Sequence, residues 1–212
     1  MTQAADSSYP PDQIQALTRY ADLLSRYNDR FNLVSRQDID RLWERHIDDA
    51  LGLASLLQPG SVLDVGSGGG LPGMVLAITH PDRVVCLLER SQRKANFLRR
   101  VVAELDLVQV EVLCEDMAIG ARDRARFDNI CARAVAPADE LWPPLQAWLA
   151  PGGQMLVAYG PRTRDRAPVN AVVDWLPGET NPEVGVMRVR RTLEPNKTLN
   201  QDSAEEANRW AE

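Results

Sequence analysis

From residue 61 onward the chain alternates short apolar runs with longer mixed stretches, and this alternation restricts the fold more than any other feature. The runs are SVLDV (61–65), VVCLL (84–88), VQVEVL (108–113), FDNICA (127–132) and GQMLVAY (153–159). They are short and rich in β-branched side chains, as strands are. The stretches between them, near 72–79, 91–105 and 139–149, read as helices. Parallel strands need crossover connections, so strands alternating with helices predict an α/β fold, a parallel sheet with helices on both faces. VNAVVDWL (169–176) and VGVMRVR (184–190) read as a terminal antiparallel pair.

Upstream, Ile14, Leu17, Ala21 and Leu24 mark an amphipathic helix over 11–28. A second helix is predicted after Asn32-Leu33-Val34. Its apolar stripe runs through Ile39, Leu42, Trp43, His46, Ile47, Ala50, Leu51, Ala54 and Leu57. Ser35 and Asp38 resemble a capping box at its start, and Pro59-Gly60 ends it. The expected organisation is a helical extension over 1–58, an α/β domain over 59–194 and a polar tail over 195–212.

Directly after the first strand comes VLDVGSGGGLPG (62–73), with five glycines in ten positions. No Gly-Lys-Ser/Thr closes it, so it is no P-loop. A dinucleotide fingerprint needs glycines at offsets 0, 2 and 5, and offset 5 from Gly66 is Leu71. Gly66, Gly68 and Gly70, preceded by Asp64, instead look like the first motif of S-adenosylmethionine-dependent methyltransferases. Glycines there let the backbone lie close against a ligand. Glu89 ends the second strand, where a carboxylate can accept hydrogen bonds from ribose hydroxyls. It can equally cap the helix beginning near Ser91.

The formal net charge of −6 argues against a protein that coats nucleic acid non-specifically. Two local clusters run the other way. Arg90, Arg93, Lys94, Arg99 and Arg100 form one; Arg162, Arg164 and Arg166, opposed only by Asp165, form the other. Either alone reads first as a solvated face. The start has no secretory pattern and no apolar run reaches membrane-spanning length, so neither a signal nor a membrane partner is expected. Cys86, Cys114 and Cys131 lack metal-ligand spacing and read as buried, reduced thiols of a cytoplasmic protein. No metal site is predicted, and no protein partner is readable.

NLVS (32–35), ERHIDDAL (44–51), LDVGSGGGLPG (63–73), LLERSQRKANFLRRV (87–101) and FDNICARA (127–134) occur in the order and spacing of one family. Over about 27–160 the chain resembles the bacterial 16S ribosomal RNA guanine-N7 methyltransferases, the methyltransferase G family. The resemblance implies a Rossmann-like class I methyltransferase fold with a seven-stranded sheet preceded by helices. It implies S-adenosyl-L-methionine as cofactor and a guanine of the 530 loop in 16S rRNA, or the small ribosomal subunit, as target. By position it places cofactor contacts on Gly66, Leu71, Met117, Ala118 and Arg133, with Glu89 on the ribose. The family often has Lys-Gly after the fifth strand, whereas this chain has Tyr159-Gly160 and ends in AEEANRWAE. The same fold acting on another RNA or a small molecule, or a non-catalytic cofactor-binding ribosome factor, stays open.

Asn32, Arg45, His46 and Tyr159 are candidates for substrate contact. The plainer readings are a turn-stabilising Asn, a salt-bridged Arg and a packed or capping His. Trp142, Pro143 and Pro144 could wall the substrate, or the prolines could simply interrupt a helix. Arg133, after the fourth strand, could position cofactor or substrate, or be a salt-bridged surface Arg.

Overall fold

The computed structural model describes residues 9–35, 38–119, 126–163, 166–177 and 184–192. The expected tail over 195–212, and Arg164 and Asp165 of the second basic cluster, lie outside them. The elements are α1 (Pro11–Phe31), α2 (Asp48–Ala54), β1 (Val62–Val65), α3 (Gly73–Thr79), β2 (Val85–Leu88) and α4 (Gln92–Glu104). There follow β3 (Val110–Leu113), β4 (Phe127–Ala132), α5 (Ala138–Leu145), β5 (Leu149–Tyr159), β6 (Ala171–Pro177) and β7 (Gly185–Arg191). Together the strands form one seven-stranded sheet in the order β3-β2-β1-β4-β5-β7-β6. The first five are parallel; β7 runs antiparallel to both β5 and β6.

Period-two alternation sorts the sheet's side chains between two cores. Val62, Val85, Leu87, Cys131 and Leu156 face α1, α2, α3 and α4. Leu63, Val65, Cys86, Leu88, Ile130, Ala132, Met155 and Val157 face α5. Both faces are thus covered, which is why the parallel strands read as continuous apolar runs. The order of winding reverses between β1 and β4, and open α/β sheets bind ligands at such a switch point, outside the strands' carboxyl ends.

Several expectations shift. The second predicted helix is not continuous: a 3-10 turn at Ile39–Arg41 leads into a π-helical turn at Trp43–Ile47 and then α2. Leu42 and Ile47, five apart, are both buried, and a π turn brings residues five apart onto one face. Ser35 and Asp38 form no capping box; the Ser35 hydroxyl donates to the Asp38 carboxylate, and no side chain caps the turn that follows. Pro143 and Pro144 lie inside α5, which gives way to a 3-10 turn at Gln146–Trp148. Trp142 is buried in the α5 core, where the apolar indole is removed from solvent. Cys86 and Cys131 are buried, but Cys114, just past β3, is only half-buried. Arg166 is opposed by Asp139 and Glu140, at 2.9 and 2.8 Å, which the sequence places too far away to suggest.

Candidate active site

Past the end of β1 the chain must turn sharply to enter α3. Gly66 does so at φ +66°, a left-handed conformation that glycine adopts without strain. A Cβ there would lie 2.6 Å from Cγ2 of Val135, so only glycine allows the loop after β4 to close against it. The loop is pinned at several points. The amides of Gly66 and Ser67 both donate to the Leu88 carbonyl, at 2.8 and 3.1 Å. From the other side, the buried Tyr20 hydroxyl of α1 donates to the Gly69 carbonyl at 2.9 Å. Burial pushes the Tyr20 phenol well above its ordinary value, so it remains an O–H donor.

Asp64 lies beneath this loop, completely buried. One of its oxygens accepts from the Gly73 amide at the start of α3, at 3.0 Å; the other is buried with no partner. A Cβ on Gly73 would meet that first oxygen at 2.6 Å, so the approach of carboxylate to helix requires the glycine. Burial pushes the Asp64 carboxyl up to about 7, although the Gly73 amide pulls the other way.

Glu89 is buried and uses both oxygens: one accepts from the Gly68 amide at 2.9 Å, the other from the Ser91 amide at 2.7 Å. The Ser91 bond supports the helix-cap reading of this residue. An ionised carboxylate has about four lone-pair sites, so each oxygen retains capacity toward the adjoining cleft. That cleft, about 330 Å³, opens at the carboxyl edge between β1, β2 and β4 and is lined by Val65, Gly66, Leu88, Glu89, Met117 and Val135 among others. Arg90, Lys94, Glu115 and Asp116 bring both signs of charge to it. Ala134, at the rim, holds φ +55°, uncommon for a residue with a Cβ.

The cleft's size falls within the range of small-molecule sites. A glycine floor, an acid with spare acceptor capacity and mixed charges suit a ligand that carries hydroxyls, a carboxylate and cationic groups. S-adenosylmethionine is such a ligand.

Of the residues singled out from sequence, Gly66, Glu89 and Met117 line the cleft. Gly68 acts through Glu89, and Asp64 and Gly70 are buried behind the loop. Leu71 packs into the core under α1. Ala118 is exposed beside Met117, its amide donating to Asp116. Tyr159 is buried edge-on against Trp175, ring centroids 5.3 Å apart, away from the cleft lining. Asn32 ends α1 at φ +50°, its amide donating to Asn28, and Arg45 pairs with Asp38 at 3.4 Å.

Arg133 follows Cys131 by two, so it points to the sheet face covered by the N-terminal helices. There its guanidinium donates to the carbonyls of Arg45 and His46, at 2.7 and 3.4 Å, and to Asp49 at 3.2 Å. It also contacts His46 Nδ1 at 2.7 Å. A guanidinium cannot accept, so Nδ1 is the acceptor and the imidazole proton sits on Nε2. Burial, with the Arg133 charge beside it, holds His46 below its ordinary value and favours that neutral form. Arg133→Ala should strip three contacts from the π turn and one from α2 and cost about 2–4 kcal/mol. Hydrogen exchange should then show faster opening of 42–49 than in the wild type; an unchanged pattern and melting temperature would mean the tether carries no load.

Tyr20, Arg90, Lys94, Asp116 and Val135 went unmarked in the sequence as site residues. Tyr20 had one available signal, a hydroxyl-bearing ring on an otherwise apolar helix face.

Comparison with known proteins agrees with this geometry. The family described as rRNA small subunit methyltransferase G matches residues 13–172. The ribosomal RNA small subunit methyltransferase G of Paracoccus denitrificans is 39% identical over 165 residues, covering 77% of this chain and 84% of its own. That of Halorhodospira halophila is 38% identical over 152 residues, 72% of each. Among solved structures, a methyltransferase from Geobacter sulfurreducens superposes with a TM-score of 0.59 at 16% identity, over 82% of this chain and 89% of its own. That likeness concerns the fold, a class I methyltransferase architecture. The match across three quarters of the chain, with the glycine loop and Glu89 set around one cleft, leads to one conclusion: this chain belongs to the rRNA small subunit methyltransferase G family.

Proposed function

We propose that this protein is an enzyme that transfers the methyl group of S-adenosylmethionine to N7 of a guanine in the 530 loop of 16S rRNA. The observation that carries the reading is the convergence of Gly66, Glu89 and Met117 on one cleft at the sheet's switch point, in a member of this family. When bound, S-adenosylmethionine supplies an electrophilic methyl on a positively charged sulfur.

Guanine N7 has an in-plane lone pair and no proton, so the chain need supply no general base. Its residues instead have to hold two reactants in line, and orientation alone can remove several kcal/mol of a barrier. Glu89 would accept from ribose hydroxyls with the lone pairs left over from Gly68 and Ser91. The acids of the cleft would offset the sulfonium charge, and Arg90 and Lys94 would face anionic groups. The glycine at 66 keeps the floor low enough for the cofactor to lie against backbone. Arg133 would act at one remove, by fixing the π turn and the start of α2. A 16S rRNA substrate places the protein in the cytoplasm. Among the described residues no helix is long and apolar enough to cross a membrane.

The deciding measurement is nucleoside mapping of 16S rRNA from cells with and without the gene. The expected result is loss of one N7-methylguanosine in the 530 loop. An unchanged modification there, with the gene deleted, would remove this target and favour another RNA or a small molecule.

A further inference from the structure

We propose that the exposed face shared by α1 and α4 docks the phosphate backbone of the RNA substrate and leads it to the cleft. The inference rests on the rRNA reading above. Arg19, Arg26 and Arg30 are spaced by seven and four, which places them on one stripe of α1. Arg19 reaches Glu104 of α4, at 3.9 Å, so the stripe borders α4. Asp22, three residues after Arg19 and four before Arg26, borders this stripe and lines the cleft over residues 39–44, and Asp29 follows Arg26 by three.

The feature that calls for a partner is Phe31. Its ring carries two guanidinium groups, those of Arg30 and Arg93, each 5.5 Å from the ring centre. Arg100 lies over Tyr27 at 5.1 Å, and the Tyr27 and Phe31 rings stack at 5.7 Å. A cation over an exposed ring gains only about 0.5–1 kcal/mol, and two cations sharing one ring repel each other. An anion between them converts that repulsion into attraction. The ion pairs of this face among the described residues both end on Glu104, with Arg19 and Arg100, at the end of α4 remote from the cleft. At the other end, Arg93 is followed by Lys94, which with Arg90 lines the cleft. The basic track therefore runs from Arg26 and Arg30 through Arg93 to the place where a methyl group would be transferred. An evenly spaced polyanion fits it better than a single small anion.

The test is binding of 16S rRNA at several salt concentrations, with methyl transfer to RNA and to small subunits measured in parallel. Arg30→Gln with Arg93→Gln should weaken RNA binding about tenfold at low salt and lower the salt slope by about one per arginine. Cofactor affinity, read by calorimetry, should not change. Arg26→Gln, which disturbs no ring contact, should lower the slope by about one by itself. Unchanged slopes with an active wild type would overturn the docking face while leaving the methyltransferase reading intact. A wild type that methylates no RNA would sink that reading first. If the variants bind free RNA normally but fail only on the subunit, the face meets a ribosomal protein and the proposal is wrong.

Discussion

Glu89→Ala should reduce affinity for S-adenosylmethionine by about two to four orders of magnitude. Hydrogen bonds to a charged acceptor are worth about 1.5–3 kcal/mol each, and two such losses give about 3–6 kcal/mol, or about 10²–10⁴ in affinity. The loss has two sources. Any bond from the carboxylate to the cofactor disappears. The Gly68 amide, held at 2.9 Å, and the Ser91 amide, held at 2.7 Å, also lose their acceptor, so the loop and the start of α4 are no longer fixed to each other. A lower urea midpoint should accompany the lost affinity. Glu89→Gln keeps one acceptor oxygen but turns an NH2 toward the other amide, so it should fall between the two. Calorimetry settles the matter, and wild-type affinity in the alanine variant would exclude Glu89 from the site.

The Asp64 carboxyl should contribute a loss of stability as pH rises from about 4 to about 7, and Asp64→Asn should remove that contribution. In the folded protein the Asp64 carboxyl keeps its proton up to about 7, whereas its ordinary value is 3.8. Between those values the folded state binds more protons than the unfolded one, so raising pH favours unfolding. The loss is complete above about 7 and has an upper bound of about 4 kcal/mol at 1.36 kcal/mol per pH unit. His46 and His80, both held below their ordinary values mainly by burial, act in the opposite direction near neutrality. The informative quantity is therefore the difference between variant and wild type in denaturant titrations at pH 5 and pH 8. Parallel curves would mean that the carboxyl ionises without penalty.

Much of this architecture is legible in the sequence because its signals are local. The run VLDV and the glycines after it sit within one turn of chain, and the alternation of Val62, Leu63, Asp64 and Val65 alone assigns sides of the sheet. Glu89 was legible as a pair of readings, cap or ligand acid, because both follow from one position between strand and helix. What lay hidden depends on distance along the chain. Tyr20 reaches Gly69 across 49 residues, and Arg133 reaches the π turn and α2 across 84 to 88. Nothing in a one-dimensional pattern joins them. The π turn was missed for a different reason. An apolar stripe from Ile39 to Leu57 satisfies α-helical spacing closely enough to conceal one widened turn, which the Asp48 amide's bond to the Trp43 carbonyl, five residues back, reveals.

The place of β7 has a consequence for how the molecule comes into being. Although the last of the described strands, it lies inside the sheet, between β5 and β6, and among the described residues β6 pairs with no other strand. Synthesis proceeds from the amino terminus, at about 5–20 residues per second, with earlier segments free to fold first. The five parallel strands can therefore assemble while β6 has emerged with nothing to pair with, and β5 keeps one open edge. Closure waits until residues 185–191 leave the exit tunnel. A nascent chain arrested before that point would present the open edge of β5 and a wholly unpaired β6, the kind of surface that recruits chaperones or other strands. The cleft's floor and walls, made of residues 65–136, would already exist in such a chain. Ligand competence and resistance to aggregation are thus acquired at different moments of synthesis.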